Sequence, residues 1–342
     1  MGYRYIGSKA RIADEILDYI GKPQGNGYFI DAFSGTGVIA EKAADIGWNV
    51  KINDMMKSAV IMSEARLLSR EDVAFEKFGG YENCITHLNN LERVNGFIWK
   101  EYSPASKEEI GIERKYYSEK NAKKIDAIIR EIKLLLSNRD ITEKEYCLLM
   151  MNLISASNDV ANIAGTYGCF LSKWSSQATN DIVLAPAVLR EKKVNYVSSN
   201  VDVFELSSNV DDVVYLDPPY TKRQYASYYH LLETIVCGDE PLVNGVSGLR
   251  PWKEKASVFC YKTKALKELS KLILAQKAYR VVISYSNQGH IILENLFDEL
   301  KPYGKVELVE ISTIGRYTPN RVAVSNSTEV KEYLIDFYRK KD

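Results

Sequence analysis

Asp217-Pro218-Pro219-Tyr220 ends the short aliphatic run Val213-Val214-Tyr215-Leu216. The run suits a buried strand, and proline cannot donate to a sheet ladder, so the strand stops there. Each proline also biases the residue before it toward extended geometry. Asp217 and Pro218 are thus held extended at the carboxyl end of a strand, beside the Tyr220 ring. A carboxylate, a backbone carbonyl and an aromatic face together suit a planar amine donor. Read alone, the same residues also fit a rigid turn with a half-buried tyrosine, and the rest of the chain must decide.

A second group lies near the start. Tyr28-Phe29-Ile30-Asp31-Ala32-Phe33 reads as a strand, Ser34-Gly35-Thr36-Gly37 as a turn, and a helix follows from about Val38 to Ile46. Glycines there let a ligand approach the backbone. The turn is shorter than G-x-G-x-x-G and lacks G-K-[ST], which disfavours a dinucleotide diphosphate or ATP. Asp54 follows the next strand, Val50 to Ile52, and is placed to accept both ribose hydroxyls of an adenosine. Asp31 suits either a ligand amino group or the start of the helix. Tyr5-Ile6-Gly7-Ser8-Lys9 sets an aromatic, a turn and a cation before a helix with apolar face Ile12, Ile16, Leu17 and Ile20; such a group is also ordinary surface.

These groups need a scaffold. The order strand, Gly-rich turn, helix, strand, acid is a nucleotide-binding half-unit. Residues 70–190 change character: mostly helical, with helices around Lys120–Ser137 and Thr142–Ser157, and an unusual loop from Asn162 to Trp174. The α/β pattern returns with strands near Asn195–Ser198, Val213–Leu216 and Arg280–Tyr285, and helices near Tyr225–Val236, Lys264–Gln276 and Ile291–Leu300. Lys305–Ile311 and Lys331–Tyr338 read as a closing β-hairpin across a loop holding Arg316, Tyr317 and Arg321. The expected organisation is a nucleotide-binding half over 1–69, an inserted helical domain over 70–190, and a half carrying the Asp217–Tyr220 corner over 191–342.

With 46% hydrophobic and 26% charged residues the composition is that of a soluble globular protein. No apolar run approaches the ~20 residues that span a bilayer, and the N-terminus lacks the apolar core of a signal peptide, so a cytoplasmic location is expected. The five cysteines include no C-x-x-C, and His87, His230 and His290 have no ligand spacing; neither a disulfide framework nor a protein-bound metal is expected. Net charge is zero overall, but residues 1–220 carry 26 Lys and Arg against 31 Asp and Glu, and residues 221–280 carry 11 against 5. A basic stretch directly after Asp217–Tyr220 suits a polyanion.

Taken in order, Tyr5…Gly7-Ser8-Lys9, Phe33-Ser34-Gly35-Thr36-Gly37, Asn53-Asp54, Asp217-Pro218-Pro219-Tyr220 and Arg223-Gln224-Tyr225…Tyr229-His230 resemble the adenine-specific DNA methyltransferases of the bacterial DNA adenine methylase group. The resemblance covers most of the chain. It implies a Rossmann-like methyltransferase sheet, mostly parallel with an antiparallel last strand, carrying an inserted target-recognition domain. S-adenosylmethionine is the implied cofactor, contacted by Tyr5, Lys9, Asp31, Phe33, Gly35, Gly37, Asp54, Asp202 and Asp217. Asp217, Pro218, Pro219 and Tyr220 are the implied catalytic residues, with Asp217 and the Pro218 carbonyl accepting from the target amine and Tyr220 stacking on the base. Double-stranded DNA is the implied partner. Lys222, Arg223, Arg250, Lys253 and Lys255 are candidates for phosphate, and Asn162, Thr166 and Tyr167 for the recognition loop. The resemblance also implies a restriction–modification or regulatory setting, with a cognate endonuclease as a second partner, and the working form is read as a monomer. Transfer to another planar amine (an RNA base or a glutamine side chain) and a non-catalytic DNA-binding relative remain as alternative readings.

Overall fold

The computed structural model describes residues 7–314 and 330–340, without the side chains of 312–314 and 330. Tyr5 and the loop with Arg316, Tyr317 and Arg321 lie outside the described residues. The chain divides into two compact units. One comprises Gly7–Met55, Asn195–Gln224 and the described part of Ser257–Asp342; the other comprises Met56–Val194 and Tyr225–Ala256.

The first unit is built on a seven-stranded sheet: β1 (Tyr28–Asp31), β2 (Asn49–Asn53), β3 (Tyr196–Ser199), β4 (Val213–Leu216), β5 (Arg280–Ser286), β6 (Gly304–Ile314) and β7 (Val330–Arg339). Their spatial order is β3-β2-β1-β4-β5-β7-β6. The first five neighbours pair in parallel, and β7 runs antiparallel to both β5 and β6. The mixed α/β class and the antiparallel end expected from the sequence are therefore present, including the β6–β7 hairpin. Strand order reverses between β1 and β4, and a crevice for ligands opens at the carboxyl ends of strands at such a switch point.

Strand alternation sorts the residues of this sheet. Val214, Leu216, Val281, Ile283, Ile335 and Phe337 face one way and form a core with Leu269, Leu272 and Ile273 of α11 (Lys262–Ala275) and Leu296 and Leu300 of α12 (Leu293–Leu300). Each fully buried Val or Leu contributes about 1.5–3 kcal/mol. The opposite face carries Phe29 stacked on Tyr215, ring centroids 5.9 Å apart. Helix α1 (Ala13–Ile20) belongs to this face, because Tyr19 Oη donates to Asp336 on β7 at 2.9 Å. Ile12 at its N-cap and Ile16, Leu17 and Ile20 within it are all buried, as their i, i+4 spacing predicts. Helix α2 (Val38–Asp45) follows the Gly-rich turn.

The second unit is helical: α3 (Lys57–Leu67), α4 (Tyr81–Asn90), α5 (Phe97–Tyr102), α6 (Ser106–Ile110), α7 (Glu119–Ser137), α8 (Glu143–Asp159), α9 (Tyr225–Tyr228) and α10 (His230–Cys237). Thr142 and Glu145 form a capping box at the start of α8, each satisfying a backbone N–H of the other. Glu233, within α10, accepts from the Lys57 and Ser58 N–H groups and the Ser58 hydroxyl, capping α3, and pairs with Lys255 at 2.7 Å. Burial opposes ionisation of this carboxyl, but Lys255 and the Ser58 donors outweigh it and hold it below the usual carboxylate range. The single helix expected over Tyr225–Val236 is broken. The Tyr228 carbonyl accepts from Tyr167 N–H at 2.8 Å, and Tyr229 leaves helical geometry.

Candidate active site

Asp217 follows β4 directly. Because the Asp-Pro-Pro stretch stays extended, its side chain keeps the alternation of Val213 and Tyr215 and projects on the α1 side of the sheet. Pro218 is buried; Asp217, Pro219 and Tyr220 are partly buried. The Tyr220 ring packs on Tyr285 of β5, centroids 5.3 Å apart. Tyr220 is further fixed by its carbonyl, which accepts from His290 N–H at 3.0 Å. Gly289 allows this: a Cβ there would fall 2.3 Å from the Tyr285 ring.

Lys9 lies just before α1 and is 6% exposed. Its Nζ sits 3.4 Å from Asp217 Oδ1, 3.0 Å from Glu332 Oε2 and 3.4 Å from Tyr220 Oη. It also lies 5.2 Å from the centroid of the Tyr220 ring, within cation–π range. Burial works against the lysine charge, but Asp217, Tyr220 and Glu332 together raise its pKa well above the ordinary value. Asp217 moves the other way from most paired acids. Burial raises it to about 6, against the lowering effect of Lys9 and with a further raise from Glu332.

Asp31 ends β1 and is 1% exposed. Burial, then the nearby charges of Asp217 and Asp54, push its pKa up to about 8, although the N–H groups of Ala40 and Phe33 bond to it and pull the other way. Ala40 lies in the first turn of α2, so Asp31 does serve the helix start, one of its two expected uses. The glycines of the following turn are needed where they stand. Gly35 and Gly37 have φ of 52° and 79°, which side chains rarely tolerate. Gly35 N–H donates to Asp54 Oδ2 at 3.0 Å, and Ser34 N–H to the Asn53 carbonyl at 2.9 Å, so the end of β2 shapes the turn.

Buried Asn53 extends this link to β3. Its amide donates to the Val201 carbonyl at 3.1 Å and accepts from Val201 N–H at 3.1 Å and Ser199 Oγ at 2.9 Å. That carries the chain to exposed Asp202, whose carboxylate accepts from Phe204 N–H at 3.0 Å. Phe33 lies partly buried against Phe259, centroids 5.6 Å apart, and Phe204 stacks on the same ring at 6.0 Å. Lys9, Asp31, Phe33, Gly35, Gly37, Asp54, Asp202 and Asp217–Tyr220 all belong to one unit, at or beside the carboxyl ends of β1, β2, β3 and β4. Glu332 was missed from sequence. It bears no motif, and its partners are more than a hundred residues away along the chain.

The residues expected to meet DNA divide between the units. Lys222 and Arg223, exposed, follow Tyr220 in the sheet unit. In the helical unit Lys253 is exposed, whereas Arg250 makes a two-pronged pair with Asp239 at 2.7 and 3.2 Å. Two loop residues expected to reach bases have no surface to do so. Asn162 is fully buried and bonds across the loop, donating to the Leu171 carbonyl at 3.0 Å and accepting from Ser175 N–H at 2.9 Å. Tyr167 is fully buried too, with its carbonyl accepting from Tyr116 Oη at 2.8 Å and 2.9 Å from His230 Nε2. These side chains frame the loop; Thr166 is partly exposed, and Cys169, Lys173 and Trp174 are exposed on it. Among the described residues no helix is long and apolar enough to cross a membrane.

The chain is 33% identical over 346 residues to modification methylase StsI of Streptococcus sanguinis, covering 98% of this chain and 52% of that protein. It is 31% identical over 347 residues to type II methyltransferase M.FokI of Planomicrobium okeanokoites, covering 99% and 53%. Against type II methyltransferase M.NlaIII of Neisseria lactamica it is 30% identical over 339 residues, covering 96% and 97%. The chain thus spans about half the length of the first two relatives and nearly all of the third. The profile of the D12 class N6 adenine-specific DNA methyltransferases matches residues 5–292, and the chain belongs to that family.

Proposed function

We propose that this protein transfers a methyl group from S-adenosylmethionine to the 6-amino nitrogen of an adenine flipped out of double-stranded DNA. The observation that carries the reading is the acidic corner at the switch point. Asp217 beside Pro218 and the Tyr220 ring shares that strand-end edge with the buried Asp31, and Asp54 stands at the end of β2.

The residues suit the cofactor. Carboxyl groups close enough to raise one another's pKa favour a cationic ligand, since a positive charge among them relieves their repulsion. S-adenosylmethionine when bound supplies an electrophilic methyl on a positively charged sulfur. The turn with positive φ at Gly35 and Gly37 lets a ligand approach the main chain, Phe33 and Phe204 offer apolar walls, and Asp54 is the candidate for the ribose hydroxyls.

An adenine amine is a poor nucleophile because its lone pair is delocalised into the ring. Asp217 and the Pro218 carbonyl each accept one N–H of the amine, drawing the nitrogen toward tetrahedral geometry and freeing the lone pair. Asp217 need not be a strong base, because the amine nitrogen can give up its proton after the new N–C bond forms. Tyr220 stacks on the base. Holding amine and methyl donor in line can contribute ~7–11 kcal/mol, against a few kcal/mol for extruding the base.

Lys222, Arg223 and Lys253 are the phosphate contacts of this reading, and the exposed face of the 162–175 loop its base-reading element. The target-recognition role of residues 70–190, the cognate endonuclease, a cytoplasmic setting and a monomeric working form belong to the same proposal.

The test is direct. Purified protein is incubated with duplex DNA and methyl-labelled S-adenosylmethionine, and the digested nucleosides are resolved by mass spectrometry. Label in 6-methyladenine from wild type and none from D217A supports the assignment. Label on another base, or on RNA or protein in place of DNA, overturns it.

A further inference from the structure

Glu332 stands outside every motif yet touches Lys9, the cation beside Asp217, and the Tyr220 hydroxyl. We propose that Glu332 is a positioning residue of the transfer site: its carboxylate holds the Lys9 ammonium and the Tyr220 hydroxyl, fixing both walls of the amine-binding corner from β7. The inference rests on Asp217 being the amine acceptor proposed above.

The geometry carries it. An ammonium has three N–H donors, and Lys9 has three oxygen neighbours: Glu332 at 3.0 Å, Asp217 at 3.4 Å and Tyr220 Oη at 3.4 Å. The shortest contact is to Glu332, so the lysine is anchored on β7 and only reaches toward Asp217. Tyr220 Oη lies 3.4 Å from the other oxygen, Oε1, of the same carboxylate. One side chain thus sets the angle of the ring and the distance of the cation.

The anchor is rigid. Glu332 pairs in register with Ser286 of β5. Four residues on, and on the same face of β7, Asp336 accepts from Arg280 at 2.9 Å and from Tyr19 Oη at 2.9 Å. β7 therefore grips the chain at Lys9, just before α1, and at Tyr19 in its last turn. If the charge of Glu332 is removed, the ammonium is left with Asp217 as its one carboxylate partner and settles on it. The acceptor needed by the amine is then occupied, and Tyr220 is released. Facing Asp217 besides Lys9 and Glu332 are Asp31, Tyr215 and Tyr220, so several charges share the corner and Glu332 alters their balance.

The experiment compares wild type, E332Q, K9M and the double variant by kcat, by S-adenosylmethionine affinity, and by carboxyl-carbon NMR titration of Asp217. E332Q is expected to lower kcat roughly 10- to 100-fold, the scale of a small misplacement in an active site, with cofactor affinity changed less than about threefold. Its Asp217 midpoint is expected to move to lower pH, and E332Q to cost clearly less in the K9M background, where only the Tyr220 contact is left to lose. A loss of the same size with and without Lys9, or an unmoved Asp217 midpoint in E332Q, overturns the proposal. Should E332Q fail to fold, the double variant, which leaves no ammonium in the corner, is compared with K9M, and a further loss of tenfold or more counts against the proposal. The Asp217 titration does not depend on the reaction catalysed: a wild type that methylates no adenine overturns the proposed function, while the midpoint still decides the role of Glu332.

Discussion

Gly35 N–H donates to Asp54 Oδ2 at 3.0 Å, so the acid that ends β2 is bound to the glycine turn that follows β1. Asp54→Ala would remove this brace together with the proposed ribose acceptor. The expected result is at least a tenfold loss of S-adenosylmethionine affinity, on the order of 1.4 kcal/mol or more, measured by calorimetry. Asp54→Asn retains an acceptor for Gly35 and should fall between the two. Unchanged affinity in the alanine variant would move the ribose site elsewhere.

Asp217→Ala separates binding from chemistry. Lys9 stays paired with Glu332 at 3.0 Å, so no buried charge is left alone and the fold should hold. Cofactor affinity is expected to stay within about tenfold, while transfer falls by roughly 10²–10⁴-fold or more, the usual weight of a positioned acid–base group. Measuring both on one preparation decides it: transfer near the wild-type rate would remove Asp217 from its assigned role.

The raised acids predict a pH dependence with a definite sign. Asp31 is pushed from 3.8 to about 8 and Asp217 from 3.8 to about 6. A carboxyl raised on folding binds its proton in the native state where the unfolded chain has released it. Stability is therefore full below about pH 4 and falls as pH rises through 6 and 8, as far as these two groups decide it. A cation bound among them favours the ionised forms, so S-adenosylmethionine binding should release protons near pH 7 and tighten as pH rises toward 8. Calorimetry in buffers of differing ionisation enthalpy measures the protons directly. Proton uptake, or none, would rule out the acidic corner as the cation site.

Much of this corner was legible from sequence because its signals are local. Asp-Pro-Pro after four aliphatic or aromatic residues dictates both the strand and its end, and β4 spans Val213–Leu216 as expected. Gly35 and Gly37 announce positive φ by their type. Glu332 could not be read, since its pairing with Lys9 joins residues 323 apart and depends on β7 lying beside β5. Burial misled in the same way. Asn162 and Tyr167 look like recognition residues in a Gly-rich loop, and only tertiary packing with Tyr116, Tyr228 and His230 turns them inward. The break at Tyr229 likewise arises from a carbonyl claimed by a residue more than fifty positions away.

That difference within the 162–175 loop gives the last prediction. Asn162 ties the loop's two ends through bonds of 3.0 and 2.9 Å and has no exposed surface, whereas Lys173 and Trp174 are exposed. Asn162→Ala leaves the Ser175 N–H and the Leu171 carbonyl short of a partner, which costs about 1–3 kcal/mol where such groups are buried. It should lower Tm by several degrees and blur the choice of DNA site. Lys173→Ala and Trp174→Ala remove only outward-facing groups, so Tm should hold while DNA binding weakens, by about 1–3 kcal/mol if Trp174 stacks on a base. Melting curves and titrations against specific and random duplexes, run on the three variants together, separate frame from contact. If both surface variants bind DNA like the wild type, the reading element lies elsewhere in the helical unit, and the loop is only a packed turn.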